Sequence, residues 1–297
     1  MKVVVIIPAF NEERSIKATI DSINQSIAGV DILVIDNAST DKTAEIVQKC
    51  DVKILHEHRK GKGYAISTGF AATLDYDAVV MIDGDNTYDL SKINVMIDMV
   101  ANGYDMVVGD RISSNDSFGR KGHQAGNKFF SWLFNALLDN STKDPFSGLR
   151  VFSKRFVGSF APLSSGFEIE SEMNMHAHEH GFKVADVDIV YNPRSDGSVS
   201  KLRTVRDGTR ILLHIIYTYQ RKCPLRFYSA ISLPFMAFGL LGFASVYMDY
   251  LASGVVLKTP SLMTYLSILV FSFLTLLFGL LNENINKHFT ELKRRAR

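Results

Sequence analysis

Two long uncharged segments in the last third of the 297-residue chain constrain its fold most strongly. Residues 227–248 and residues 259–281 contain no Asp, Glu, Lys or Arg. Each segment is long enough to cross a hydrocarbon core of roughly 30 Å as a helix. Buried core helices are the alternative, but such helices rarely remain uncharged over this length. We therefore predict a membrane hairpin, with Pro234 tolerated inside its first helix.

Basic residues flank the hairpin on one side of the predicted membrane. Outside the connecting loop, they are Arg221, Lys222, Arg226, Lys287, Lys293, Arg294, Arg295 and Arg297. The loop itself, residues 249–258, contains one lysine. Because positively charged flanks remain on the cytoplasmic side, we predict a multi-pass protein of the cytoplasmic membrane. Both termini and the large N-terminal domain are then cytoplasmic.

Composition excludes several other classes of protein. The formal net charge of +2 is too small to indicate nucleic-acid binding. Cys50 and Cys223 lie far apart and have no metal-ligand spacing, so we interpret both as packed thiols. The apolar run Val3–Ile7 stops at Pro8, which favours a buried strand over the core of a signal peptide.

Strand and helix patterns alternate through the first hundred residues. The predicted strands are Val3–Ile7, Ile32–Ile35, Val52–Leu55, Val79–Ile82 and Met106–Val108. The predicted helices are Glu13–Ser26, Thr40–Cys50, Gly63–Leu74 and Ser91–Ala101. This alternation is typical of an α/β domain whose mostly parallel sheet has helices on both faces. Ligands of such sheets bind beyond the carboxyl ends of the strands.

Polar residues follow three of these strands. Asn11 and Ser39 or Thr40 are expected to cap the helices that come next. Asp83 and Asp85 follow the fourth strand at positions i and i+2, which place them on one side of the chain. Two adjacent carboxylates repel each other unless a cation lies between them. A hard divalent ion that also binds phosphate, Mg²⁺ or Mn²⁺, is therefore predicted, with a simple turn as the alternative.

Several motifs resemble those of family 2 glycosyltransferases with the Rossmann-like GT-A fold. They are Ile7–Glu13, Val34–Asp41 and Asp83–Asp85. Later motifs resemble the dolichol-phosphate mannose synthases and bacterial polyprenyl-phosphate glycosyltransferases, some of which carry a C-terminal membrane hairpin. These later motifs are Asp144–Arg150, Tyr191–Arg194, Gly197 and Ser200–Leu202.

The resemblance implies roles for individual positions. Nucleotide-sugar contacts are implied for Pro8, Phe10, Glu12, Ile35, Asp36, Asn37, Asp83, Gly84, Asp85 and Arg111. Asp83 and Asp85 match the metal ligands. The acceptor phosphate is assigned to Arg194, Ser200 and Lys201, and the catalytic residues are Asp85, Arg111, Arg194 and Lys201.

Asn37 and Thr87 are among the positions that depart from the patterns of these relatives. Asn37 stands where many of them have a second aspartate, so the base contacts are expected to differ. Thr87 stands where the mannose synthases have a metal-ligand glutamine. We therefore expect the metal to have fewer protein ligands and more water.

A phosphate acceptor would simplify the chemistry. Its second pKa is about 6, so near neutral pH it is largely a dianion that needs no strong general base. Positioning and charge neutralisation can then supply most of the rate. Glu168 and Glu172 have i,i+4 spacing, which fits either the lining of a pocket or a solvated helix face. Asp144 could orient Arg150 or another basic group, or form a turn.

The sequence thus predicts a cytoplasmic GT-A domain in residues 1–202, an amphipathic juxtamembrane helix in residues 203–226, and the hairpin with its basic tail in residues 227–297. The predicted function is inverting transfer of a sugar from a UDP- or GDP-linked donor to undecaprenyl or dolichyl phosphate. Transfer to a hydroxyl acceptor, with Glu168 or Glu172 as base, and a non-catalytic nucleotide-sugar-binding scaffold are the alternatives. The sugar stays open, as does the oligomeric state, for which a homo-oligomer is one option.

Overall fold

The computed structural model describes residues 1–113, 132–133, 136–137, 142–162, 165–166, 168–192 and 204–295. The chain divides into two compact units, Met1–Ile211 and Leu212–Arg297. This division falls within the segment 203–226 that the sequence predicts to be one amphipathic helix.

The first unit contains one seven-stranded sheet among its described residues. Its strands are β1 Val3–Ala9, β2 Asp31–Asp36, β3 Lys53–His56, β4 Ala78–Met81, β5 Met106–Ser113, β6 Arg150–Ser153 and β7 Val184–Tyr191. Its order is β3-β2-β1-β4-β6-β5-β7, and only β6 runs antiparallel to its neighbours. The helices that cover it are α1 Ile16–Ser26, α2 Thr43–Gln48, α3 Lys62–Ala71, α4 Ile93–Ala101, α5 Lys154–Ser159 and α6 Ile169–Glu179.

Both faces of the sheet are buried, as its continuous apolar strands require. Val4 and Ile6 of β1 pack into a cluster that includes α3, α5 and α6. Val5 and Ile7 point the opposite way, into a second cluster that includes α1, α2 and α4. Alternate side chains of one strand thus enter two cores. The prediction of a mostly parallel sheet with helices on both faces is confirmed.

The predicted helix caps are wrong. α1 begins at Ile16 and has no side-chain cap hydrogen bond within the described part of the chain, and the amide of Asn11 bonds to Thr40 instead. α2 begins at Thr43, whose backbone N–H donates to Asp41 Oδ1 at 3.0 Å. Ser39 likewise bonds across to Asn11 rather than capping α2. The side chains that were expected to cap the first turns of α1 and α2 instead connect the loops after β1 and β2.

The second unit contains the two predicted membrane segments as helices. α7, Thr204–Lys222, runs across the division between the units, and α8 Pro224–Ser253 and α9 Thr259–Arg295 follow it. Pro224–Ser253 and Thr259–Phe289 are long and apolar enough to cross a membrane, with mean hydropathies of 1.7 and 2.2. They pack closely at Gly242, where a Cβ atom would overlap the ring of Tyr265. Length and composition therefore fit a hairpin, as predicted.

Candidate active site at the carboxyl edge of the sheet

The carboxyl ends of β1, β2 and β4 meet at one edge of the sheet. Ala9 pairs with Asp36 at the ends of β1 and β2, and Ile82, just beyond β4, donates its backbone N–H to Ile6 at 3.2 Å. The loops that follow β1 and β2 are joined by the bond from Asn11 N to Ser39 Oγ at 3.0 Å. The sequence-predicted nucleotide contacts and the two aspartates after β4 therefore share this edge.

The residues after β2 are held by internal contacts. Asp36 is 5% exposed; it accepts a hydrogen bond from Ser39 N, and its Oδ2 lies 3.2 Å from His56 Nδ1. Asn37 donates its amide to the carbonyl oxygens of Glu57 and Arg59 and accepts from Gly61 N at 2.7 Å. Asn37 thus anchors the loop that leads into α3. Its contact with a nucleotide base stays a prediction.

The other predicted nucleotide contacts lie around the same edge. Ile35 is fully buried, and its side chain packs toward Gly69 of α3. Pro8 and Phe10 are half-buried, and the ammonium of Lys60 lies 5.7 Å from the Phe10 ring centroid. Glu12 accepts a hydrogen bond from Ser15 Oγ at 2.9 Å. Glu12 also lies beside the aspartate loop, since a Cβ atom at Gly84 would come within 3.4 Å of its Cγ.

The two aspartates after β4 have different surroundings. Asp85 is 4% exposed, and its Oδ1 accepts hydrogen bonds from Thr87 Oγ1 at 2.6 Å and Thr87 N at 3.3 Å. Thr87 therefore orients Asp85. Asp83 is more accessible, and Gly148 lies against it so closely that a Cβ atom there would overlap the carboxylate. Gly148 also donates its N–H to the Tyr88 hydroxyl at 2.8 Å.

The donor set suits a hard divalent cation. Among the described residues, no group of three or more His, Cys, Asp or Glu side chains could hold a metal by itself. Asp83 and Asp85 supply two carboxylates. Mg²⁺ in proteins is commonly bound by one or two carboxylates, and water and substrate phosphates complete its coordination shell. The pair thus fits a cation that is bound together with a diphosphate.

A buried ion-pair network adjoins Asp83. The ammonium of Lys62 lies 2.5 Å from Asp83 Oδ1 and 2.5 Å from Glu170 Oε1. Burial opposes the charge on Lys62, but the two carboxylates outweigh it and hold the lysine pKa above its ordinary value. Lys62 therefore stays positively charged at this edge.

A second ion pair lies at the end of β5. Arg111 donates to both carboxylate oxygens of Asp144, at 2.5 Å from Nε and 3.0 Å from Nη2. Its guanidinium also lies 5.5 Å from the centroid of the Tyr191 ring, and that ring packs edge-on against Tyr88 at 5.3 Å. Burial, followed by the nearby Asp83 charge, raises the pKa of Tyr88, so its hydroxyl stays protonated. Of the options that the sequence left open for Asp144, the structure shows the orienting of a basic group other than Arg150, namely Arg111.

Arg150 is instead an internal support for the loop before β6. It is completely buried and donates to the carbonyl oxygens of Ser147 and Pro145 and to Asn174 Oδ1. Burial lowers its pKa, yet it remains a cation that needs these acceptors. The loop that contacts Asp83 and Arg111 is thereby fixed from beneath.

The remaining predicted site residues divide into two groups. Glu168 and Glu172 are half-buried at the start of α6, and Glu170 between them is 3% exposed. Arg194, Ser200 and Lys201 lie outside the described residues. Their roles stay predictions.

Sequence reasoning missed Lys62, and it gave weight to Glu168 and Glu172 rather than to the buried Glu170. A lysine at the first residue of a helix is disfavoured by the helix dipole. The presence of Lys62 at this position could therefore have indicated a special role for it. The apolar stripe Ile169–Met173–Ala177 is buried in α6, and it carries the adjacent Glu170 inward. That stripe could have marked Glu170.

Comparison with known proteins gives the family. The model of the family described as "Glycosyl transferase family 2" matches residues 4–158, which is more than half of the chain. The chain belongs to glycosyltransferase family 2. This glycosyltransferase is 29% identical over 295 residues to the glycosyltransferase AglJ of Haloferax volcanii, covering 98% of this chain and 96% of AglJ.

Further relatives agree with this membership. A dolichyl-phosphate hexose transferase of Haloferax volcanii is 26% identical to the glycosyltransferase over 191 residues, covering 64% of this chain and 83% of the relative. The glucosyl-3-phosphoglycerate synthase of Mycobacterium tuberculosis, solved with Mn²⁺, UDP-glucose and phosphoglyceric acid, aligns with a TM-score of 0.58 at 21% identity. That alignment covers 73% of this chain and 79% of the synthase. The glycosyltransferase has the GT-A fold.

Proposed function

We propose that the protein transfers a sugar from a UDP- or GDP-linked donor to a polyprenyl phosphate, with inversion at the anomeric carbon, at the cytoplasmic face of a membrane. One observation carries the proposal. A single chain joins a carboxylate-lined sheet edge of the family 2 type to two helices that are apolar enough to span a membrane. The similarity to a dolichyl-phosphate hexose transferase supports a lipid phosphate as acceptor.

On the donor side, Asp83 and Asp85 would hold a divalent cation, which when bound supplies positive charge for the leaving diphosphate. Thr87 fixes the orientation of Asp85 through its hydroxyl. Gly148 leaves room for the carboxylate of Asp83. The half-buried residues after β1 would line the nucleotide.

On the acceptor side, Arg111 is the described cation best suited to the lipid phosphate. Asp144 and the Tyr191 ring hold its guanidinium in place. Arg194 and Lys201 would complete a clamp on the phosphate. A phosphate oxygen would then attack the anomeric carbon while the nucleoside diphosphate leaves, with no general base needed because the nucleophile is already ionised.

The ion pairs of the site favour a phosphate over a hydroxyl acceptor. Asp144 and Glu170 each turn a carboxylate oxygen toward a cation, Arg111 and Lys62 respectively, so those oxygens are already occupied. A hydroxyl acceptor would need a carboxylate that can accept its proton during the reaction.

The test incubates the full-length protein in detergent with labelled UDP-glucose, UDP-N-acetylglucosamine and GDP-mannose. Polyprenyl phosphate and the matching polyprenol are offered in parallel, and the lipid-linked product is measured. We expect product with the phosphate only, loss of product in EDTA, and loss in a folded Asp85→Ala variant. Transfer to polyprenol would favour the hydroxyl acceptor. Nucleotide binding without any transfer would favour the scaffold, and transfer that survives EDTA would contradict the metal.

The clamp is tested separately with Arg194→Ala and Lys201→Ala. Each charged phosphate contact contributes about 1.5–3 kcal/mol, so either loss should slow transfer roughly ten- to hundredfold. Nucleotide affinity, measured by calorimetry, should change less than the rate. Equal losses in both would place the two residues at the donor instead.

A further inference from the structure

Lys62 connects three separate parts of the fold. It is the first residue of α3, and its ammonium contacts Asp83 of the loop after β4 and Glu170 of α6. Its side chain is only 12% exposed. A cation at the start of a helix is opposed by the helix dipole. Its favourable contacts therefore come from the two carboxylates.

The carboxylate of Asp83 has two potential cationic partners. Asp83 Oδ1 already accepts the ammonium of Lys62, at 2.5 Å. A divalent cation bound by the same carboxylate would lie close to that ammonium, and like charges at short range repel each other strongly. Either the lysine weakens binding of the divalent cation, or its ammonium moves away as the cation binds.

Glu170 provides a place to which the ammonium can move. Its Oε1 already accepts the ammonium, and its Oε2 is buried without a hydrogen-bond partner among the described residues. A buried acceptor that lacks a hydrogen-bond partner has lost its contact with water and destabilises the fold, which is an energetic cost. A shift of the ammonium toward both oxygens of Glu170 would remove this cost while keeping the lysine paired.

We propose that Lys62 is a tethered counter-ion that exchanges with the divalent cation at Asp83, moving toward Glu170 when the cation binds. Lys62 is then a positioning residue that keeps Asp83 neutralised and in place before the donor arrives. It also makes the free protein bind the cation weakly, so that the cation binds mainly together with the diphosphate of the donor. This inference rests on the metal site of the proposed function.

The test measures Mn²⁺ binding to the full-length protein in detergent by the electron paramagnetic resonance signal of free Mn²⁺, with and without UDP. Without UDP, Lys62→Met should bind Mn²⁺ at least about tenfold more tightly than the wild type. A tenfold change is the lower end of the effect that one nearby unit charge has on an ionic equilibrium. Lys60→Met is the matched control. It removes the same charge from a lysine that lies two residues before Lys62 and has an exposed side chain. Its affinity for Mn²⁺ should equal that of the wild type.

Lys62→Met leaves two carboxylates close together and could impair folding. The double variant Lys62→Met/Glu170→Gln removes one charge of each sign and should also bind Mn²⁺ more tightly than the wild type. Affinities at or below the wild-type value in both variants would overturn the exchange. A wild type that binds no Mn²⁺ even with UDP would instead overturn the metal site itself.

Discussion

Thr87 and Gly148 act on the two aspartates of the site in different ways. The Thr87 hydroxyl donates to Asp85 and fixes the direction of its carboxylate. Gly148 has no side chain, and the Asp83 carboxylate occupies the space where a Cβ atom would lie. The 83–85 loop therefore depends on a residue 65 positions from Asp83 in the sequence, where no local pattern shows the connection.

The first prediction concerns Gly148→Ala. The added methyl group would overlap the Asp83 carboxylate, so the aspartate or the 144–149 loop must move. We expect transfer to fall at least about tenfold, since small misplacements of site groups are costly. Gly158→Ala is the control, because the added methyl group there has no described atom within 4 Å apart from the chain next to it, and α5 should gain slightly in stability. Equal activity of both variants would contradict the role of Gly148.

Glu57 stabilises the loop that leads to Lys62. It accepts hydrogen bonds from Arg59 and from Thr68 Oγ1, and these bonds lower its pKa from 4.5 to about 2. A carboxylate with a depressed pKa in the folded protein stabilises the fold above its unfolded pKa. This contribution is lost as the pH falls from about 4.5 toward 2.

The second prediction follows from this pH dependence. Glu57→Gln should lower the thermal unfolding midpoint at pH 7, because the charge-assisted bonds from Arg59 and Thr68 are weakened. The difference from the wild type should become smaller at pH 3.5, where part of the wild-type stabilisation is already lost. A difference that stays constant between the two pH values would show that the Glu57 charge is not its source.

At the scale of elements, the aspartate loop and the end of β7 form one hydrogen-bonded unit. Asn192 donates its N–H to the Thr87 carbonyl at 2.7 Å, and Asp89 donates to the Val190 carbonyl at 3.0 Å. The rings of Tyr88 and Tyr191 pack between these bonds. The predicted acceptor residues begin just after Asn192, so the segments predicted to bind donor and acceptor start from a common support.

The third prediction tests that support with Tyr88→Phe. The variant keeps the ring but removes the oxygen that accepts the Gly148 N–H. A buried N–H left without a partner should lower the free energy of unfolding by about 1–3 kcal/mol, and transfer should fall with it. Tyr104→Phe is the control, since Tyr104 is a half-buried core tyrosine with no side-chain hydrogen bond among the described residues. Similar stability losses in both variants would contradict the bond.

The elements that sequence reasoning found are those whose signal is local. Val3–Ile7 is a run of apolar β-branched residues, and it forms most of β1 as predicted. The antiparallel β6 was not predicted, because strand direction depends on the path of the chain between strands. The contact of Lys62 with Glu170 joins residues 108 positions apart, so it arises only from the fold. The sequence shows the helical spacing of Glu168 and Glu172. It is the buried face of α6, however, that places Glu170 on the inward side of the helix.

At the scale of the whole molecule, the two units differ in what they leave exposed. The first unit buries its apolar side chains in two clusters on either side of the sheet. The second exposes many large apolar side chains along α8 and α9, including Leu241, Met248 and Phe273. Exposed apolar area of this extent suits contact with lipid. The basic flanks of the hairpin then predict that the first unit lies on the cytoplasmic side of the membrane.

The last prediction tests this orientation with single cysteines. Cys50 and Cys223 are first replaced by Ser, so that each introduced cysteine is the only thiol. Leu257→Cys lies in the loop between α8 and α9, where Leu257 is 73% exposed, and it should react in intact cells with a thiol reagent that cannot cross membranes. Leu74→Cys, at an exposed position of the first unit, should react only after the cells are permeabilised. The physical reason is that moving the loop to the cytoplasm would require the basic residues before α8 and after α9 to cross the membrane. Labelling of Leu74→Cys in intact cells, with Leu257→Cys protected, would reverse the orientation and place the donor site outside.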